Sequence, residues 1–154
     1  MPHAIDARIE ELGFALPAAP APAANYVPWV ISGKQIFVSG QVSQANGGLI
    51  TGTLGADLST EQGAAAARAC ALSLLAQCKA ALGGDWSRLR RVVKLTGFVN
   101  CTADFHDQPK VINGASDFLV AVLGEAGRHA RSAVGAPSLP LGVAVEIEAI
   151  FELA

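Results

Sequence analysis

The apolar residues of the chain recur at helical spacing in three segments. The first predicts an amphipathic helix over residues 4–16, with charged residues on its other faces. From residue 64 to residue 82 nearly every turn carries Ala, Leu or Cys and charges are few, which is typical of a helix packed on a sheet. A third helix is predicted after residue 107. Its apolar stripe is formed by Val111, Ala115, Phe118, Leu119 and Val122.

Local signals mark where the two longer helices begin and end. Ser59 stands three residues before Gln62, which is the capping-box spacing that satisfies two free N–H groups at a helix start. Gly83-Gly84 is predicted to end that helix, because glycine accepts the backbone conformation of a helix C-terminus. For the third helix, Asp107 is the candidate N-cap and Pro109 suits the first turn.

Segments of alternating apolar and polar residues predict strands. Residues 26–31 and 35–41 form two strands joined at Ser32-Gly33-Lys34, where the glycine accepts a positive φ. Asn46-Gly47-Gly48 marks a turn before a further short strand. A buried strand is predicted over residues 91–100. Two more strands are predicted to end the chain.

The last strand places two carboxylates on one face of the sheet. Alternate side chains of a strand point to opposite faces, so Glu146 and Glu148 share one face while Val145 and Ile147 share the other. Arg131 in the preceding strand supplies a cation that can hold a small carboxylate ligand near those acids. The residues alone support equally a second interpretation, in which Arg131 pairs with Glu146 or Glu148 and closes an interface.

The order of the elements predicts an α+β domain, in which both long helices cover one face of a mixed, mainly antiparallel sheet. Residues 1–24 are predicted to form an N-terminal helix with a Pro/Ala-rich connector, and residues 25–154 the main domain. Charged residues make up 16% of the chain, below the roughly 25% of average soluble proteins. We therefore expect the open sheet face to be buried by self-association.

The charge distribution argues against nucleic acid and membrane partners. The chain has 11 basic and 13 acidic residues, a formal net charge of −2, and so no general attraction for polyanions. No aromatic residues for base stacking are interleaved with the densest basic cluster, which we interpret as a solvated edge. That cluster is Arg88, Arg90, Arg91 and Lys94.

The cysteines and histidines predict no metal site, and no cofactor is implied. The three histidines lack ligand spacing. Cys70 and Cys78 stand two turns apart on the long helix, where small buried residues are expected. Cys101 ends a strand, a position that can be either exposed or buried, and no adjoining His or Lys is present to activate it. Charged residues near the start occupy the place of a signal peptide's apolar region, which predicts a cytoplasmic protein.

Several motifs resemble those of the reactive-intermediate deaminase family, also called YjgF-like or endoribonuclease L-PSP-like. The most specific are Arg131-Ser132 and Glu146-Ile147-Glu148-Ala149. Ser39-Gly40-Gln41, the helix over residues 59–84 and Arg91-Val92-Val93-Lys94-Leu95-Thr96 add to the resemblance, which spans roughly Tyr26 to the C-terminus. The resemblance implies a chorismate-mutase-like fold and a homotrimer. In such a trimer the sheets line a central barrel and ligand clefts lie between adjacent subunits.

The resemblance also implies an activity and a set of site residues. The best-studied branch of the family hydrolyses imines and enamines made by pyridoxal-phosphate enzymes, giving a 2-keto acid and ammonia. By this resemblance Arg131 grips the substrate carboxylate and Glu146 positions the attacking water. The other implied substrate contacts are Ser39, Asn113 and an aromatic residue of the first hairpin, Tyr26 or Trp29.

Two departures set the chain apart from that branch. Ala133 stands where the branch carries a cysteine, and the region over residues 101–110 is longer, with Asn113-Gly114-Ala115-Ser116-Asp117 after it resembling a different subgroup. A non-catalytic binder of small carboxylates such as keto acids is therefore the alternative to the hydrolase. An endoribonuclease is disfavoured by the overall charge and by the lack of a histidine pair.

Overall fold

The computed structural model describes residues 3–22 and 24–154, which form three helices and seven strands. Their order is the predicted one except for an additional two-residue strand over residues 44–45, which was not predicted. The helices are α1 (Ala4–Glu11), α2 (Thr60–Ala81) and α3 (Gln108–Leu123). The strands are β1 (Trp29–Ser32), β2 (Gln35–Val42), β3 (Gln44–Ala45), β4 (Gly48–Leu49), β5 (Leu89–Asn100), β6 (Ala130–Ala136) and β7 (Val145–Leu153).

Five strands form one mixed sheet in the order β1-β2-β7-β5-β6, and β3 pairs with β4 in a small hairpin. Among these five described strands β5 and β6 are the one parallel pair, because α3 forms the crossover between them. The helices α2 and α3 cover one face: the Cys70 thiol lies 3.5 Å from Val145 O, and Ile112 packs over Gly97. The predicted α+β architecture is confirmed.

The alternation predicted for β7 is also confirmed. Val145 and Ile147 are fully buried under the helices. Glu146 and Glu148 point the other way, onto the face that α2 and α3 leave uncovered, which we call the open face. The register pairs Glu148 with Thr96 of β5.

Both longer helices begin where the signals predicted. Ser59 N donates to Gln62 Oε1 at 2.8 Å and Gln62 N donates to Ser59 Oγ at 3.1 Å, so the capping box of α2 is confirmed. In α3 Pro109 lies in the first turn and Asp107 is the N-cap residue, as predicted, but the side chain of Asp107 makes no cap hydrogen bond. Its carboxylate instead lies 3.7 Å from Lys110 Nζ, one turn along the helix.

The first helix is shorter than predicted and packs on the other helices. It ends at Glu11 because Gly13, with a φ of 87°, reverses the chain. Arg8 Nε donates to Ala121 O of α3 at 2.9 Å, and Asp6 accepts a hydrogen bond of 3.0 Å from Trp86 Nε1. These contacts place α1 on the helical layer, away from the open face.

Two local features are decided by the structure. Cys101, whose exposure the sequence left open, is buried, with 7% of its surface exposed. The first strand begins at Trp29 instead of Tyr26, because Pro28 has no N–H to give to a sheet ladder. Cys70 and Cys78 are buried as expected, and burial raises the pKa of both thiols, that of Cys78 to about 12.

The open face carries apolar side chains around a polar centre. Its exposed apolar residues include Val30, Phe37 and Val134, and its polar centre is the row of Ser132, Thr96 and Glu148 on three adjacent strands. The face is thus less uniformly apolar than the sequence suggested. Among the described residues, no helix combines the length and the apolarity needed to cross a membrane.

Candidate functional site

Arg131 lies at the edge of the sheet formed by β6, on the side of the helices. Its guanidinium donates two hydrogen bonds to α3, from Nη1 to Ser116 Oγ at 3.1 Å and from Nη2 to Pro109 O at 3.2 Å. Within residues 3–22 and 24–154, no carboxylate oxygen lies within 4.0 Å of it. Both acceptors are neutral, so the charge of Arg131 is not balanced by an ion pair in this part of the chain.

Ser116 connects Arg131 to His129. The Ser116 Oγ lies 2.9 Å from His129 Nε2, and His129 Nδ1 lies 2.6 Å from Gly127 O. A carbonyl oxygen only accepts, so Nδ1 carries the proton and Nε2 of the neutral ring accepts from the Ser116 hydroxyl. Burial, and after it the nearby charge of Arg131, lower the pKa of His129, against the opposing effect of the Gly127 hydrogen bond.

The surface beside Arg131 forms a shallow cleft, which we call the Arg131 half-site. It is lined by Asn113, Ser116, Asp117, Arg128, His129 and Arg131 together with Val120 and Ala121. Asn113 is exposed on the first turns of α3 and lies in the same cleft as Arg131, as the resemblance implies. The guanidinium donors that Ser116 and Pro109 leave free are available to a carboxylate, and each such bond contributes about 1.5–3 kcal/mol.

Glu146 lies in a second cleft of about 390 Å³, which we call the Glu146 half-site. Ser39, Gly40 and Tyr26 also line it, and its other walls are mainly apolar. The apolar walls are formed by Pro20, Pro22, Pro28, Pro140 and Leu141. Leu141 is exposed and has a φ of 62°, a left-handed conformation that is rare for leucine and recurs in binding loops.

A bulge in β2 forms the floor of the Glu146 half-site. The pairing of β2 with β7 changes register between Val38 and Gln41. Gly40 lies at this bulge, and a Cβ atom at position 40 would overlap the carboxylate of Glu146. Glycine is therefore required for the carboxylate to occupy this place.

Ser39 holds the chain segment that precedes β1. Its N–H donates to Pro28 O at 2.9 Å and its Oγ donates to Val27 O at 3.1 Å. The hydroxyl proton is thereby engaged, but the oxygen keeps a free acceptor position. Ser39 can accordingly accept a hydrogen bond from a ligand in the cleft.

Two buried glutamines tie the connector to the bulge. Gln77 of α2 is fully buried and donates from Nε2 to Pro20 O at 2.6 Å and to Gln41 Oε1 at 3.4 Å. Gln41 donates in turn to Ser39 O at 3.0 Å. Gln77 Oε1 has no partner among the described residues, which is costly for a buried amide. The pair holds the Pro-rich connector as a wall of the Glu146 half-site.

Glu146 is electrostatically strained. Partial burial raises its pKa above that of an exposed glutamate, and the neighbouring carboxylate of Glu148 adds to the effect. A carboxyl group with a raised pKa is better suited to take up and return a proton near neutral pH. The position of Glu146 thus fits a general base.

The structure distinguishes between the two aromatic candidates. Tyr26 is 48% exposed and lines the Glu146 half-site. Trp29 pairs with Val38 on the face covered by α2 and packs against the hydrophobic core. Only Tyr26 is therefore placed to contact a ligand in that cleft.

One chain does not bring the predicted site residues together. Arg131 and Glu146 point to opposite faces of the sheet, and β5 separates their strands, so that these are about 10 Å apart. Asn113 accompanies Arg131, whereas Ser39 and Tyr26 accompany Glu146. The ion pair of Arg131 with Glu146 or Glu148 does not occur within the described chain.

The sequence interpretation missed Ser116, His129 and Gln77. Signals for the first two were present: Ser116 stands three residues after Asn113, on the same side of a helix, and His129 stands two residues before Arg131, as strand neighbours on one face do. Gln77 gave no such signal, because its partners Pro20 and Gln41 are distant in sequence.

The chain is similar to known proteins over nearly its whole length. The family described as "YjgF/chorismate_mutase-like, putative endoribonuclease" matches residues 6–153. Protein TCP17 of Trypanosoma cruzi is 54% identical over 151 residues, covering 97% of this chain and 94% of that protein. The crystal structure of the Agrobacterium tumefaciens protein Atu1372, of unknown function, is 51% identical with a TM-score of 0.92, covering 98% of this chain and 93% of that one.

A more distant structure has the same fold. The YjgF gene product of E. coli is 31% identical with a TM-score of 0.62, and the alignment covers 87% of this chain and 92% of that one. The lower TM-score indicates that the fold is shared with larger local differences. By the match over residues 6–153 and these similarities, the chain belongs to the YjgF-like, or reactive-intermediate deaminase, family.

Proposed function

We propose that the protein binds small 2-keto acids, and hydrolyses the imine and enamine acids from which they form, in a cleft between two copies of the chain. In this cleft the Arg131 half-site of one copy faces the Glu146 half-site of the next. The assembly proposed is the homotrimer that the family resemblance implies. The products are a 2-keto acid and ammonia.

The observation that carries the proposal is the charge of Arg131, which has no ion-pair partner among residues 3–22 and 24–154. A guanidinium beside a cleft, held by the neutral acceptors Ser116 Oγ and Pro109 O, is poised to receive an anion. Asn113 in the same cleft adds an amide that can bond to the ligand. A carboxylate held by two or three such bonds reaches millimolar to micromolar affinity.

The Glu146 half-site supplies the chemistry. In the proposed reaction water adds to the imine carbon while the Glu146 carboxylate takes one of its protons and passes it to the imine nitrogen, which gives a carbinolamine. The remaining hydroxyl proton then moves through the same carboxylate to the nitrogen, so that the C–N bond breaks, ammonia leaves and the carbonyl group of the 2-keto acid forms. Ser39 accepts a hydrogen bond from the reacting group, and Tyr26 with its proline neighbours covers the apolar part of the ligand.

A non-catalytic binder of keto acids is the second candidate, and Ala133 favours it. This residue lies on the same side of β6 as Arg131 and packs against the core. It puts a methyl group where the hydrolytic branch of the family carries a thiol. A binder needs the Arg131 half-site but does not need proton transfer by Glu146.

A coupled assay separates the two candidates. A pyridoxal-phosphate-dependent dehydratase generates 2-aminoacrylate from serine, and pyruvate release is followed with and without the protein. We expect the wild type to accelerate release and Arg131→Ala to have no effect on it. Calorimetric titration with pyruvate should show binding to the wild type and none to Arg131→Ala.

Two results would redirect the proposal. Binding that depends on Arg131 without any acceleration of pyruvate release leaves the binder and excludes the hydrolase. Equal behaviour of the wild type and Arg131→Ala in both experiments contradicts the site itself.

A further inference from the structure

We propose that Ser116 and His129 are positioning residues, which hold the Arg131 guanidinium ready for a carboxylate through a chain of hydrogen bonds that ends on the backbone of Gly127. This inference rests on the proposed function, because it assigns the residues that prepare Arg131 for its ligand. Arginine is more often fixed by a carboxylate, which would also neutralise it. Here the fixing groups are neutral.

The chain of bonds starts from a rigid point. Gly127 is buried at the end of a short turn that packs against α3. A Cβ atom on it would clash with the backbone of Leu119 and would lie 2.9 Å from Val120 Cα, so this close approach requires glycine. The carbonyl of Gly127 is thereby held in place, and it fixes the imidazole through the 2.6 Å contact with Nδ1.

The direction of each bond follows from the donors. With its proton on Nδ1, the neutral imidazole accepts from the Ser116 hydroxyl at Nε2, and the Ser116 oxygen then offers a lone pair to Arg131 Nη1. Rotation of the serine hydroxyl is restricted by these two contacts. Without the imidazole the hydroxyl is free to turn, and the guanidinium loses a defined acceptor.

The chain of neutral groups leaves the positive charge of Arg131 for the ligand. A carboxylate that binds Arg131 offsets this charge, which is one of the causes that lower the pKa of His129. The pKa of His129 must therefore rise when the ligand binds. When Nε2 is protonated it donates to the Ser116 oxygen, which still accepts from Arg131 Nη1 through its second lone pair, so the guanidinium keeps its acceptor. By linkage, carboxylate affinity therefore increases as the pH falls through the pKa of His129.

Other charged side chains also lie near His129. The charged side chains that line the two clefts beside it are Asp117 on α3, Arg128 before β6, Arg131 on β6, Arg91 on β5, Lys34 before β2 and Glu152 on β7. Of these residues, Arg131 is the one that Ser116 connects to the imidazole by hydrogen bonds, so a bound carboxylate should change the pKa of His129 through Arg131. Replacement of Arg131 should abolish the coupling and leave the other charges in place.

The test measures pyruvate affinity in matched variants of the full chain. Ser116→Ala and His129→Ala should each weaken binding about three- to tenfold, which corresponds to the loss of one neutral hydrogen bond. The double variant should be weaker by less than the product of the two factors, because both residues act on one bond. Ser116→Thr, which restores the hydroxyl, should recover most of the affinity. Ser132→Ala, a serine on the opposite face of the same strand, should bind like the wild type.

The second readout is the titration of His129 by NMR. In the wild type, saturating pyruvate should raise the pKa of His129, and in Arg131→Ala it should not. The ligand-free spectrum should show the tautomer with the proton on Nδ1, and Ser116→Ala should shift the Nε2 resonance.

The outcomes distinguish this inference from the proposed function. If Ser116→Ala and His129→Ala bind pyruvate as tightly as the wild type while Arg131→Ala does not bind, the positioning role is overturned and the site stands. If the wild type binds no pyruvate, the proposed function fails. In that case an unchanged His129 spectrum in both Ser116→Ala and Arg131→Ala would overturn the hydrogen-bond chain as well.

Discussion

At the residue scale, Glu146 is placed where its ionised form costs the folded chain stability. Its carboxylate is partly buried, lies over Gly40 and stands on the same strand face as Glu148. An acid whose pKa is higher in the folded state than in the unfolded state contributes its stability below the unfolded pKa. That contribution is lost as the pH rises through the folded pKa. A strained acid of this kind is typical of functional sites.

We therefore predict that Glu146→Gln makes the protein more stable at neutral pH. The gain should be a few tenths of a kcal/mol, since solvent screens a carboxylate that is only half-buried. It should shrink as the pH falls towards about 4, where Glu146 is protonated in the wild type. Urea unfolding at the two pH values measures it, with Glu10→Gln at an exposed position of α1 as the control. A variant that is less stable at neutral pH would contradict the assigned strain.

Some residues of the candidate site could be predicted from the sequence and others could not. Arg131 and Glu146 were identified as candidates because a strand has a two-residue period and the motif around them resembles the family. The period alone does not show that they lie on opposite faces of the sheet. That follows from the register, in which Arg131 of β6 pairs with Leu95 of β5. Ser116 and His129 were missed because a helix and a loop, apart in sequence, meet only in the folded chain.

At the scale of elements, the N-terminal segment is part of the folded unit. Asp6 on α1 accepts hydrogen bonds from Lys79 Nζ at 3.1 Å and from Trp86 Nε1 at 3.0 Å, and Phe14 packs edge-on against Phe118. The sequence predicted the helix from its period. It did not show that the apolar stripe of α1 packs on α2 and α3, because amphipathicity indicates which side of a helix is buried but not which elements cover that side.

From these contacts we predict that Asp6→Ala lowers the free energy of unfolding by about 1–3 kcal/mol, because the buried Trp86 N–H loses its acceptor and Lys79 its partner. Glu10→Ala, on an exposed position of the same helix, should change it by less than about 0.5 kcal/mol. Urea unfolding followed by tryptophan fluorescence provides the measurement. No effect of Asp6→Ala would show that α1 detaches before the main unfolding transition.

For the whole molecule, the proposed site is divided between two clefts of one chain, and the proposal needs a second chain to complete it. The pattern of the sequence predicted an uncovered sheet face, and the structure shows its exposed Val30, Phe37 and Val134. The trimer itself came only from the resemblance, because periodicity within a chain carries no information on how copies meet. A site formed between two chains predicts that two inactive variants can complement each other, whereas a site within one chain does not.

If the proposed hydrolysis takes place between copies, two inactive variants should restore activity when they assemble together. In a mixed assembly of Arg131→Ala and Glu146→Gln chains, some clefts combine an intact Arg131 half-site with an intact Glu146 half-site from the neighbour. Isolation of co-expressed chains through two different tags keeps only the mixed trimers, and in each of these about one cleft in three is complete. The rate of pyruvate release should therefore reach about a third of the wild-type rate.

The matched control is co-expression of Arg131→Ala with the double variant Arg131→Ala, Glu146→Gln. No cleft in that mixture contains an intact Arg131 half-site, so the rate should stay at that of the single variants. Sedimentation of each mixture verifies that assembly is unchanged. If the first mixture were as inactive as this control, Arg131 and Glu146 would have to act from the same chain. That result would contradict the proposed cleft between copies, which is based on the separation of β6 and β7 in the sheet.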